Sequence, residues 1–196
     1  MTRENATERV ERCLKRVEEH PASAPAHFNL GLAYTNLGRV DRAKDAYRKA
    51  LELDPDLVEA WVNLGGALLL KWDFKGALEA NREALKRRDD MVLAHYNMGQ
   101  AHLYLGDAEG LASCCRRVIE IEPEHAAANY YLAVGLLALG HTDEARESLG
   151  KAMALGHQPT PEFLRGLERA DKEKALDISK LVTNIGAEAP DDAKEN

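Results

Sequence analysis

The stretch HYNMGQAHLYLG, His95–Gly106, has a relative 34 residues upstream, WVNLGGALLLKW from Trp61, and another 68 upstream, HFNLGLAYTNLG from His27. All three copies keep an asparagine at one register: Asn29, Asn63 and Asn97. The residues around each asparagine are almost all uncharged, with apolar residues at helical spacing. The fold follows from the 34-residue period, and the candidate function follows from the face on which the asparagines lie.

The same period appears elsewhere in the chain. Pro21, Pro55 and Pro123 lie on it, with Asp89 and His157 on the missing beats. Further series run Gly38, Trp72, Gly106, Gly140; Ala43, Ala77, Leu111, Ala145; and Ala50, Ala84, Val118, Ala152. Independent series at one period signal an array of repeated supersecondary units. With Ala24 as the first residue, the units are 24–57, 58–91, 92–125 and 126–157. Each reads as two amphipathic helices: a first that ends at a residue suited to the left-handed C′ position, and a second such as VDRAKDAYRKALEL that stops before DPD. Asp56 followed by Glu59 reads as a capping box opening the second unit. Small residues at the alanine and glycine positions let helices approach closely, while Leu30, Tyr34, Tyr47 and Leu51 supply bulk between them.

These residues resemble the tetratricopeptide repeat family. His27, Leu30-Gly31, Tyr34, Ala43, Tyr47, Ala50 and Pro55 carry its pattern in the first unit. Trp61, Leu64-Gly65, Ala77 and Ala84 carry it in the second, and Met98-Gly99, Gly106 and Pro123 in the third. The fourth unit is looser: Asn129, Ala133 and His157 replace the aromatic, glycine and proline, while Leu132, Gly140, Ala145 and Ala152 hold. The resemblance implies an all-α fold, a right-handed α-solenoid of stacked antiparallel helix pairs. Residues 1–23 read as an N-terminal capping half-repeat with Val10, Cys13, Leu14 and Val17 on one face. Residues 158–186 read as a C-terminal cap, opened by Thr160 as N-cap and Pro161, with Phe163, Leu164 and Leu167 covering the last repeat. Within it, Leu176–Ile185 is a second capping segment or the occupant of a groove, and the polar tail 187–196 reads as disordered.

In the resemblance, one side of each first helix lines a concave surface. At about 100° per residue, that side reads Phe28, Asn29, Leu32 and Asn36; Val62, Asn63, Gly66 and Leu70; Tyr96, Asn97, Gln100 and Tyr104; and Tyr130, Tyr131 and Val134. Only Glu59 and Lys71 are charged across the first helices, whereas DRAKDAYRKALE in a single second helix carries seven charges. An uncharged, tyrosine-bearing inner wall beside ionic outer walls is the pattern of an interaction surface. A side-chain amide offers both donor and acceptor, so a row of asparagines can pair with the backbone of an extended peptide. The competing reading is that each asparagine bonds within its own repeat. A ladder of this kind resembles that of tetratricopeptide superhelices that present protein substrates to a glycosyltransferase. The cationic clamp by which some relatives grip a C-terminal carboxylate is missing, since Phe28, Tyr96, Leu93 and Asn97 stand at its positions.

Composition narrows the remaining classes. The formal net charge of −7 over 196 residues disfavours nucleic acid and acidic membrane surfaces as partners. No window is long and apolar enough for a membrane span, and the charged N-terminus lacks a secretory core, so a cytoplasmic protein is expected. Cys13, Cys114 and Cys115 read as structural thiols rather than disulfide or metal partners. His27 and His95 stand at the aromatic packing register, and His95 and His102 share a face two turns apart, but no histidine pair has good ligand spacing. No metal, cofactor or catalytic residue is expected. The expectation is a non-enzymatic scaffold or adaptor that holds a weakly charged peptide segment, extended or helical, in a concave groove. The alternatives are a homo-oligomer joined through the inner face or terminal helices, and a regulatory subunit of a separate enzyme.

Overall fold

The computed structural model describes residues 3–170, and among them it holds ten α-helices and no strand. They are α1 Arg3–Glu19, α2 Ala24–Asn36, α3 Val40–Leu53, α4 Val58–Leu70, α5 Phe74–Arg87, α6 Val92–Tyr104, α7 Ala108–Ile121, α8 Ala126–Ala138, α9 Thr142–Ala154 and α10 Pro161–Arg169. The chain divides into two compact units, Met1–Ala94 and His95–Asn196, with the boundary inside α6. In the first, α1 packs on α2, α2 on α3, α3 on α4 and α4 on α5. In the second, α8 is packed by α7, α9 and α10.

Helix ends repeat one chemistry. Gly38 takes φ +68°, its N–H donates to the carbonyl of Thr35 at 2.9 Å, and the Arg39 N–H reaches back to Tyr34 at 2.9 Å. This closure satisfies carbonyls that α2 would otherwise leave unpaired. Gly106, Gly140 and Gly156 close later helices with φ between +73° and +87°. Trp72 occupies the same place after α4 at φ +62°, with its N–H on Leu69 and that of Asp73 on Leu68. A left-handed conformation costs an L-residue about 1–2 kcal/mol. The indole lies edge-on to Phe74 at 5.8 Å, a contact that glycine could not make. Asp73 and Asp107 then cap α5 and α7, accepting the N–H of Gly76 and Gly110 at 2.9 Å.

The capping box expected at Asp56 and Glu59 is not formed: Leu57 occupies the N-cap and makes no side-chain cap bond. Both carboxylates are drawn to arginines instead, Asp56 to Arg87 Nε at 3.0 Å and Glu59 to Arg88 Nη2 at 2.7 Å. A different link joins each proline beat to the helix that follows it. His27 Nε2 donates to the Pro21 carbonyl at 2.9 Å, Trp61 Nε1 to that of Pro55 at 2.8 Å, and Asn129 Nδ2 to that of Pro123 at 3.4 Å. Histidine, indole and amide replace one another there because each reaches the carbonyl with an N–H.

The alanine series is core: Ala43, Ala50, Ala77, Ala84, Ala145 and Ala152 are fully buried. At the ends, Ala6 and Val10 of α1 are buried, while Leu14 is 39% exposed. Thr160 Oγ1 accepts the Phe163 N–H at 3.2 Å with Pro161 in the first turn, and Phe163 and Leu167 are buried. Leu164, expected to cover the last repeat with them, is 40% exposed because it lies off the stripe those two residues define. The segment Leu176–Ile185 and the tail 187–196 lie outside the described residues.

Candidate binding face

In the first unit the inner register of α2 and α4 is open to differing degrees. Asn29 and Asn36 are exposed, Phe28 and Leu32 are half-buried, and the Phe28 ring leans on Tyr47 of α3 at 5.9 Å. On α4, Asn63 and Gly66 are half-buried and Leu70 is the most exposed large apolar side chain among the described residues, at 63%. The Asn63 amide donates one N–H to the Glu59 carbonyl at 2.7 Å. That local bond orients the side chain, and the amide retains its second N–H and its oxygen. Val62 is a correction to the expected wall: it is 1% exposed, packed with Ala84 and Ala94 in the core.

In the second unit Tyr96 and Gln100 are half-buried and Tyr104 is exposed. The Tyr96 ring sits 5.0 Å from that of His125 and 6.1 Å from that of Tyr131. Burial pushes the phenols of Tyr96, Tyr104 and Tyr131 upward; neighbouring tyrosines and Cys115 push Tyr131 further. All three stay protonated at neutral pH, as hydroxyls able to donate. Four expected wall residues are instead interior. Tyr130, Tyr131 and Val134 belong to the core cluster around Phe163, and Asn97 is 5% exposed. For α8 the cause is plain: with α7, α9 and α10 against it, no broad stripe of its surface stays open.

Two buried amides lie off the asparagine register: Asn81, not singled out from the sequence, and Asn129, noted there only as a replacement for the expected aromatic. Asn81 is fully buried, donates to the Ala77 carbonyl at 2.8 Å, and fills the space that a Cβ on Gly65 would need, 2.1 Å from its Nδ2. The paired glycines Gly65-Gly66 were the available signal. Asn129 donates to the His125 carbonyl at 3.1 Å as well as to Pro123.

Among the described residues no group of three or more His, Cys, Asp or Glu side chains could hold a metal ion, and no helix is long and apolar enough to cross a membrane. Burial drives the Cys115 thiol upward, which suppresses the reactive thiolate.

Family models and solved structures agree on the architecture. One tetratricopeptide repeat model matches residues 24–57 and a second matches 96–161. The crystal structure of MamA is similar at 22% identity over 74% of this chain and 85% of that one, with a TM-score of 0.71. YrrB, described as a TPR protein with an unusual peptide-binding site, is 21% identical over 88% of this chain and 92% of its own, with a TM-score of 0.71. PilF of Pseudomonas aeruginosa is 21% identical over 86% and 77%, with a TM-score of 0.74. No curated protein matches the sequence. At these identities the likeness establishes the fold. Together with the matched repeats and the helix pairs they predict, it places the chain in the tetratricopeptide repeat family.

Proposed function

We propose that this protein is a non-enzymatic interaction scaffold working in the cytoplasm, and that it binds a weakly charged peptide segment along the first helices of its repeats. The supporting observation is the open amide and apolar register of α2 and α4, where Asn29, Asn36, Leu32, Asn63 and Leu70 are exposed or half-exposed with no charged side chain among them. An extended backbone needs donors and acceptors in alternation, and carboxamides supply both without the desolvation cost of a charge. Leu32 and Leu70 provide apolar area for alternate side chains of the ligand. In the second unit Tyr96, Gln100 and Tyr104, uncharged and half-buried or exposed, offer a tyrosine and amide face of their own, backed by the buried tyrosines. YrrB's description as a peptide-binding repeat protein is consistent with this use of the fold.

The test is a pair of variants on exposed or half-exposed positions. Asn29→Ala with Asn63→Ala should weaken capture of uncharged peptides by roughly tenfold, about two hydrogen bonds, with an unchanged melting curve. Asn29→Asp should weaken it further. Undiminished binding in both variants would remove the amides from the site.

A further inference from the structure

Repeats one and four begin their first helices with side-chain caps of different chemistry. Ser23 Oγ accepts the N–H of Ala26 at 3.3 Å at the start of α2. At the equivalent place before α8, one hundred and two residues on, His125 Nδ1 accepts the N–H of Ala128 at 3.1 Å. A hydroxyl keeps its lone pairs at any physiological pH. An imidazole offers Nδ1 as an acceptor only while neutral, with its proton on Nε2. Protonation places an N–H where the helix needs an acceptor, and adds a positive charge at the end of α8 where the helix dipole is already positive.

A second histidine bears on the same helix. The His157 ring stacks on Tyr130 of α8 at 4.3 Å, and the Tyr130 hydroxyl lies 3.2 Å from Thr160 Oγ1, the N-cap of α10. Burial lowers the pKa of His157. The folded chain therefore binds fewer protons there than the unfolded chain, and the contribution to stability, complete above the unfolded imidazole value, is lost as pH falls toward the lowered one.

From this geometry we infer that the start of α8 is a proton-gated cap, closed at neutral pH and released in mild acid, with His125 as the gate and His157 as its second contact. Titratable groups face the gate from its own turn and from α6. Tyr96 of α6 faces the His125 ring, Glu122 and Glu124 flank it in the preceding turn, and Tyr130 faces His157. Two other histidine contacts of the second unit differ in kind. His102 Nδ1 lies 2.8 Å from Asp107 Oδ2 and His141 Nδ1 lies 3.0 Å from Glu144 Oε1, contacts that a proton on the ring leaves intact. Tyr96 and α8 border the candidate binding face of this unit, and loosening them would change what that face presents.

Hydrogen exchange of the Ala128 amide tests the gate on the full chain. Corrected for the intrinsic pH dependence of exchange, protection in the wild type should fall about fivefold between pH 7.5 and 5.5, the equivalent of one lost cap. His125→Asn and His125→Ser, which supply an acceptor that does not titrate, should hold protection flat over the same range. A flat wild type, or an equal fall in both variants, would overturn the inference. The Ala26 amide, capped by Ser23, serves as the internal reference.

Discussion

Phe163→Ala should lower the stability of the second unit by about 3–5 kcal/mol, the cost of emptying a fully buried aromatic site. The ring is wholly inaccessible, it meets Tyr130 edge-on at 5.4 Å, and it joins α10 to the core cluster of α8 and α9. Chemical denaturation would register the loss as an earlier transition, and exchange of α10 amides would locate it. Phe163→Leu retains most of the volume and should cost under about 1.5 kcal/mol. A small effect of the alanine variant would mean that α10 is not part of the cooperative structure.

Tyr47→Ala should be comparably severe in the first unit, at about 3–5 kcal/mol. Tyr47 is fully buried, its ring lies where a Cβ on Gly31 would come within 2.4 Å of Cε1, and Phe28 packs beside it at 5.9 Å. Thr35 Oγ1 donates to the Gly31 carbonyl at 3.1 Å, so the Tyr47 hydroxyl, 2.8 Å away, is the donor to Thr35. Tyr47→Phe therefore removes one bond and strands no partner, for a loss of about 1 kcal/mol. Equilibrium unfolding monitored by Trp61 and Trp72, both in this unit, separates the two variants. If the phenylalanine variant were as unstable as the alanine variant, the hydroxyl rather than the ring would dominate.

The repeat register was legible because close packing leaves little choice of residue. Only small side chains fit at Ala43 or Ala84, and only a residue tolerant of positive φ fits at Gly38 or Gly106. Trp72 shows that the conformation persists without glycine, at a cost that sequence spacing does not reveal. The link from the proline beat to His27, Trp61 and Asn129 was hidden because the shared property is an N–H, not aromaticity. Asp56 and Glu59 looked like a capping pair, but a nearby arginine offers each a charged partner that a local pattern cannot anticipate.

The inner wall was legible as a register and not as a surface. Helical periodicity assigns Val62, Tyr130 and Val134 to the same side as Asn29 and Asn63. How much of that side stays open depends on how many neighbours a helix has. A further neighbour of α8 is α10, a short helix beyond the repeats, and it helps to bury residues that the repeat pattern alone would leave accessible. The asparagine register shows the same dependence: Asn29 is exposed, Asn63 is half-buried with a bond to its own helix, and Asn97 is buried.

The most direct measurement is the side-chain amide NMR spectrum of the protein titrated with short uncharged peptides of randomised sequence. The account predicts that the NH₂ resonances of Asn29, Asn36, Asn63 and Gln100 shift in a saturable manner while backbone amides on the charged faces of α3 and α5 stay in place. Shifts confined to α3, α5 or α9, with those carboxamides unmoved at saturation, would contradict it.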